Sequence, residues 1–139
     1  MVRLRRAVSG GPDERSGDAE RGAAVVDFAL VGGLLTVIFI AVIQLTLVLH
    51  VRNTLIDAAA SGARYGTLAD RDPEDAIGRA RELIEGSLAD SYGSDVSVGE
   101  STVAGVRTLE VVVRAPLPVI GLIGPAGLLE VRGHAALAS

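Results

Sequence analysis

The sequence predicts an α+β membrane protein whose single N-terminal transmembrane helix extends into a small outer domain. Three observations support this: an uncharged apolar segment at residues 28–49, a helical apolar pattern after Pro73, and alternating apolar residues in the last third. The outer domain should hold a second helix and a short antiparallel sheet of about three strands. The predicted organisation is a cytoplasmic leader at 1–22, a long helix at 23–69 and an extracytoplasmic domain at 70–139.

The composition argues against several classes of function. The 139 residues include 13 basic residues, all of them arginine, and 17 acidic residues, which gives a net charge of −4. Since only 3% of residues are aromatic, the chain lacks the positive surface and the stacking side chains of a nucleic-acid-binding protein. The absence of cysteine excludes disulfides and thiolate metal sites.

The uncharged segment at residues 28–49 predicts the transmembrane span. Its 22 residues would extend about 33 Å as a helix, enough for a hydrocarbon core of about 30 Å. A buried soluble helix of this length would need apolar cover on every side, and the rest of the chain cannot easily supply it. A cleaved secretory signal is also disfavoured, because its apolar region usually has only about 7–15 residues.

Arginine placement predicts the orientation of the span. Basic residues concentrate on the cytoplasmic side of transmembrane helices, and five arginines precede the span while only two follow it closely. The N-terminus is therefore predicted to be cytoplasmic, with the leader at 1–22 disordered and the outer domain beyond the cell membrane. The arginines are Arg3, Arg5, Arg6, Arg15 and Arg21 before the span, and Arg52 and Arg64 after it.

The helix is expected to continue past the membrane, because residues 51–67 contain no proline. This stretch presents one narrow face of small residues, where another backbone can approach closely. Two partners for the face remain open: the chain's own outer domain, or a helix of another subunit in an assembly. The face consists of Leu55, Ala58, Ala59, Gly62, Ala63 and Gly66.

The outer domain should begin with a second helix, from about Pro73 to Ala89. Asp72 suits the N-cap and Pro73 the first helical position. The apolar stripe of this helix is predicted at Ile77, Ala80, Ile84 and Leu88, with a loop at residues 90–94.

The last third of the chain changes to a period of two, which is typical of strands. Residues 95–103 and 106–115 predict a β-hairpin that turns at Ala104-Gly105, and residues 128–138 predict a third strand. The segment 116–127 between them is rich in proline and glycine yet strongly apolar. Three surfaces could cover this apolar segment: the chain's own sheet, a partner protein or the bilayer.

The junction before the span carries the most specific motif. It reads RGAAVVDFAL at residues 21–30, and residues 51–65 read VRNTLIDAAASGARY. On these two segments the chain resembles the TadE-like pseudopilins of tight-adherence (Flp) pilus systems, within the type IV pilin superfamily. The resemblance covers about a third of the chain.

The resemblance implies a processing site and an assembly role. In similar proteins a prepilin peptidase cuts after the glycine, so the cut would fall between Gly22 and Ala23. Asp27 would then be the fifth residue of the mature chain, where the family usually has Glu, with Phe28 beside it. The implied partners are the lipid bilayer, the prepilin peptidase, other pilin-like subunits and the pilus assembly platform.

Two interpretations of Asp27 follow from the residues themselves. An acid at the bilayer centre costs about 2.5–3.5 kcal/mol. The new ammonium of Ala23, about 6 Å away along the helix, would offset that cost by pairing with Asp27 within or between chains. Alternatively, Asp27 lies at the headgroups, where the helix dipole favours an acid.

We expect a non-enzymatic protein with no cofactor, no metal and no small-molecule substrate, since the sequence lacks catalytic and phosphate-binding motifs. Its predicted function is that of a minor pilin-like protein in the assembly of a Flp-type pilus. The alternative is an uncleaved, single-pass, membrane-anchored accessory or binding protein.

The orientation of the span can be tested with two single cysteines, because the natural chain has none. A cysteine at Ser94 should react with a membrane-impermeant maleimide on intact, wall-permeabilised cells, while one at Ser9 should react only after lysis. The reverse pattern would contradict the predicted topology.

Overall fold

The fold is an α+β arrangement, as predicted. The computed structural model describes residues 13–118 and 127–137. The first helix, α1, covers Asp13–Gly66, and the second helix, α2, covers Pro73–Ser87. A short 3-10 helix at Asp90–Gly93 precedes three strands: β1 at Asp95–Val103, β2 at Val106–Pro116 and β3 at Leu128–Ala136.

Helix α1 corrects the prediction at both of its ends. It begins at Asp13, so residues 13–22 are helical where we expected a disordered leader. Extending an existing helix adds one hydrogen bond for each residue that is fixed, without the cost of a new nucleus. At the other end the helix stops at Gly66, three residues before the predicted boundary.

Helix α2 begins where its capping residues predicted. Asp72 is the N-cap and Pro73 occupies the first turn. The backbone N–H of Asp72 donates to the carboxylate of Asp75 at 3.0 Å, which satisfies a donor at the helix entry. The buried residues of α2 are Ala76, Ala80 and Ile84. Ile77, which we placed in the apolar stripe, is only partly buried at its edge.

The three strands form one antiparallel sheet in the order β1-β2-β3. Val103 pairs with Val106, so the turn contains two residues, Ala104 (φ 51°) and Gly105 (φ 81°). Positive φ at both positions is the type I′ geometry that fits the twist of a hairpin. Pro116 pairs with Leu128 at the opposite end of the sheet.

One face of the sheet packs against α2 and the C-terminal part of α1. The alternation of burial along β2 is the signature of a sheet with one covered face. Burial of this apolar surface is the main favourable contribution to folding. The core consists of Val51, Leu55, Ala58, Ala59, Ala63, Ala76, Ala80, Ile84, Val96, Leu109, Val111, Val113, Ala115 and Val131.

The small-residue face of α1 packs inside its own domain, so the first of the two alternatives is confirmed. A Cβ on Gly62 would lie 2.6 Å from the carbonyl oxygen of Ala76, and one on Gly66 would lie 2.7 Å from the Cβ of Ala76. A Cβ on Gly133 of β3 would lie 2.3 Å from the backbone carbon of Ala59. At Gly62 and Gly133 the backbones therefore approach too closely for any side chain, and at Gly66 a new side chain would collide with those of Ala76 and Leu109.

The contact at Gly133 predicts a strong effect of a single methyl group. Gly133→Ala should lower the free energy of unfolding by at least about 1–3 kcal/mol, because the new Cβ meets rigid helix backbone rather than a flexible side chain. Chemical unfolding of the detergent-solubilised full chain, followed by circular dichroism, would measure this. Gly99→Ala is the matched control, since a Cβ at Gly99 on β1 meets nothing within 4 Å. Equal stability of the two variants would contradict the packing.

Candidate membrane and assembly site

The four residues singled out by the sequence lie together on the N-terminal part of α1. Gly22, Ala23, Asp27 and Phe28 are all exposed. Phe28 keeps 81% of its surface, and a Cβ on Gly22 would meet nothing within 4 Å. The helix therefore presents this segment outward, where another molecule has access to it.

Asp27 has no ionic or hydrogen-bonding partner among the residues that the structure describes. Ala23 precedes it by four residues, so the two lie on the same side of α1, about 6 Å apart along its axis. In the uncut chain the nitrogen of Ala23 is an uncharged helical amide. Cleavage before Ala23 would turn it into an ammonium at the distance where an ion pair with Asp27 can form.

The Gly22–Ala23 bond lies inside a regular helix. Its backbone groups are therefore engaged in helical hydrogen bonds, and a protease would have to unwind this turn locally. Glycine makes unwinding easier, because Gly in a helix interior is less favourable than Ala by about 0.8–1.0 kcal/mol.

Helix α1 contains the candidate membrane span. Within the described residues, the stretch Ser16–Gly66 is the one helix long and apolar enough to cross a membrane. Its most apolar 18-residue window is 0% buried, unlike the core helix of a soluble protein.

Three polar side chains inside the apolar segment have hydrogen-bond partners within the chain. Thr36 and Thr46 donate to carbonyls four residues earlier, Gly32 and Val42, at 2.8 Å. Gln44 Nε2 donates to the carbonyl of Pro118 at 2.5 Å. This partner of Gln44 lies 74 residues away in the chain, a pairing that no local pattern could indicate.

The sheet face opposite the core carries a chain of ion pairs between β2 and β3. Arg114 Nε lies 2.8 Å from Glu130 Oε2, and Arg132 Nη2 lies 2.6 Å from Glu130 Oε1. Farther along, Glu110 Oε2 lies 2.6 Å from His134 Nε2. His134 thus lies on the polar side of β3. We did not predict the network, although the alternating charges in both strands are a signal for cross-strand pairs.

The ion pairs in this network shift the pKa of Glu130 downward and that of Arg132 upward. Hydrogen bonds from Arg132, and then from Arg114, hold the pKa of this carboxyl below its usual value of 4.5. A lowered pKa contributes stability above the unfolded-state value, and that contribution is lost as pH falls through the folded-state value. Because the group is solvent-exposed, the contribution is small.

The described residues contain no group of three or more His, Cys, Asp or Glu side chains placed to hold a metal ion. The acidic residues near Pro73 serve the entry of α2 instead, where Asp72 and Asp75 form the capping contact.

Comparison with known families agrees with the resemblance seen at residues 21–30 and 51–65. Residues 22–64 match the family model of the TadE-like protein, which confirms the resemblance over that segment. The match begins at Gly22 and includes the small-residue face of α1 as far as Ala63, but not Gly66. No curated protein and no solved structure matches the chain.

Proposed function

We propose that the chain is a minor pilin-like membrane protein that takes part in the assembly of a tight-adherence (Flp) pilus. The family match over residues 22–64 is the observation that supports this most. The exposed apolar helix fits a membrane anchor. The proposed location is the cell membrane, with a cytoplasmic N-terminus and an extracytoplasmic outer domain. The role is non-catalytic.

The proposed mechanism has three steps. A prepilin peptidase first cuts between Gly22 and Ala23 on the cytoplasmic side. The Ala23 ammonium then pairs with Asp27, in the same helix or in a staggered neighbour, while the exposed apolar surface of α1 associates laterally with other pilin-like helices. Incorporation at the assembly platform follows, with the outer domain supplying contacts to other subunits.

The absence of an intrachain partner for Asp27 in the described part of the chain supports the pairing step. An unpaired carboxylate at the start of an apolar helix is costly to move toward the bilayer interior. A cation from the cut N-terminus would offset that cost, which links cleavage to helix association.

A second candidate is an uncleaved, permanently anchored accessory or binding protein of the same machinery. One observation favours it: the Gly22–Ala23 bond lies within a regular helix, where a peptidase has poor access to the backbone. N-terminal sequencing of the membrane-bound product separates the two candidates.

The processing step predicts that Gly22→Ala accumulates a precursor. A peptidase site that accepts only hydrogen at this position would reject a methyl group, so the product should stay larger by 22 residues. Immunoblotting of cells that co-express the cognate peptidase would measure this. Gly17→Ala is the matched control, since it also replaces a helical glycine with nothing within 4 Å of the new Cβ and should be processed normally. If Gly22→Ala gave a product of the same size as the natural chain, cleavage would occur at another bond or not at all.

The pairing step predicts different outcomes for two substitutions of Asp27. Asp27→Glu keeps the charge and should retain pilus assembly. Asp27→Ala should still insert, because the span becomes more apolar, yet it should lose assembly. Pilus yield in sheared surface fractions would be measured beside membrane insertion and cleavage. Normal pili from Asp27→Ala would show that Asp27 only marks the headgroup boundary.

A further inference from the structure

The outer domain contacts α1 inside the apolar segment, at one end of the sheet. Gln44 donates to the carbonyl of Pro118, and Leu47 packs against the core. At the same end, the N–H of Leu117 donates to the carbonyl of Gly127 at 3.2 Å, and Leu128 begins β3. We call Gln44, Leu117, Pro118 and Leu128 the Gln44 end of the domain.

The position of Gln44 sets a constraint on the membrane boundary. Gln44 precedes Leu49, the last residue of the apolar segment, by five residues, or about 7.5 Å along the helix. If the whole domain stayed outside the hydrocarbon while Asp27 lay at the headgroups, only residues 28–43 would span it, and these would reach about 24 Å. That is short of a core of about 30 Å. A span this short would require the bilayer to become thinner around the helix. Insertion of the domain as far as Gln44 would avoid this thinning.

The chemistry of the Gln44 end suits an apolar environment. Leu128 is 74% exposed, and no charged residue occurs in the sequence between Arg114 and Glu130. Backbone polar groups that enter a bilayer need partners within the protein. Here the carbonyls of Pro118 and Gly127 both accept hydrogen bonds, and the amides of Pro116 and Pro118 have no N–H to satisfy.

The charged residues of β2 and β3 that lie nearest the Gln44 end limit how deeply this end can insert into a bilayer. Arg114 pairs with Glu130 across the sheet, two residues beyond Pro116 and Leu128, or about 7 Å along the strands. Their ion pair at 2.8 Å would lie at the headgroups when Leu128 lies in the acyl region. The apolar surface of α1 continues beside the Gln44 end, since Leu45 is 60% and Leu49 46% exposed. A single lipid phase would cover both surfaces.

From this placement we infer that the Gln44 end of the outer domain inserts into the adjacent leaflet of the bilayer, with Leu128 at the boundary between headgroups and acyl chains. The occupant of this surface is lipid, because it is continuous with the exposed apolar helix. The inference rests on membrane anchoring by α1, and it holds for either orientation of the span.

The test uses the full chain with single cysteines, since the natural sequence contains none. Leu128→Cys, Val106→Cys and Leu34→Cys would each be labelled with an environment-sensitive fluorophore and reconstituted into phosphatidylcholine vesicles. Some vesicles would carry phospholipids with a spin-label quencher on a shallow acyl carbon. All three native side chains are exposed, so the labels should not disturb the fold, and circular dichroism would verify this.

Labels at positions 34 and 128 should shift to the blue and lose fluorescence with quencher lipids. A label at 106 should do neither, since Val106 lies at the opposite end of β2. Quenching at 34 without quenching at 128 would overturn the insertion of the domain and leave the anchor intact. An unquenched label at 34 would overturn the anchor and the inference together.

Two further outcomes would also contradict the inference. Equal quenching at 106 and 128 would indicate that the whole sheet lies on the membrane rather than its Gln44 end. Quenching at 128 that disappears as the protein-to-lipid ratio rises would assign the surface to a second copy of the chain.

Discussion

The structure depends on the close approach of α1 to α2 and to the sheet of the outer domain. At Gly62, Gly66 and Gly133 a single added carbon would come within 2.3–2.7 Å of neighbouring atoms. Such distances leave no room for a side chain, so three glycines set the spacing between α1, α2 and the sheet. The adjacent alanines on α1 and α2 fill the remaining space without rotamer entropy, and the larger side chains Leu55, Ile84 and Leu109 complete the core.

This packing gives one helix two different roles along its length. Beyond Val51 its apolar face is buried in the core, while between Phe28 and Leu45 most large side chains are exposed. The exposed part and the buried part of the helix meet between Gln44 and Leu49, where some residues are half-buried and others are exposed. Because Gln44 donates a hydrogen bond to the carbonyl of Pro118, the outer domain is connected to a residue of the apolar segment.

The sequence was sufficient for features that depend on local patterns. Alternation predicted the strands, the Ala104-Gly105 pair predicted the turn, and Asp72-Pro73 predicted the entry of α2. Prediction from the sequence failed for the features that depend on packing between distant parts of the chain. Ala76 is fully buried because it lies against Gly62 and Gly66, whereas Ile77 has the more hydrophobic side chain and the lesser burial. The Gln44–Pro118 bond and the Arg114–Glu130–Arg132 cluster depend on register and on the folded chain path, which periodicity does not specify.

The division of α1 also divides the segment that matches the family model. From Val51 to Arg64 the matched segment includes small residues that the domain core already covers. Those residues are not available to bind another helix. Helix-to-helix association through α1 would therefore have to use the exposed stretch from Ala23 toward Ile43, which contains Asp27, Phe28 and the glycines at 32 and 33. The proposed processing site and the surface for assembly thus lie on the same part of the helix.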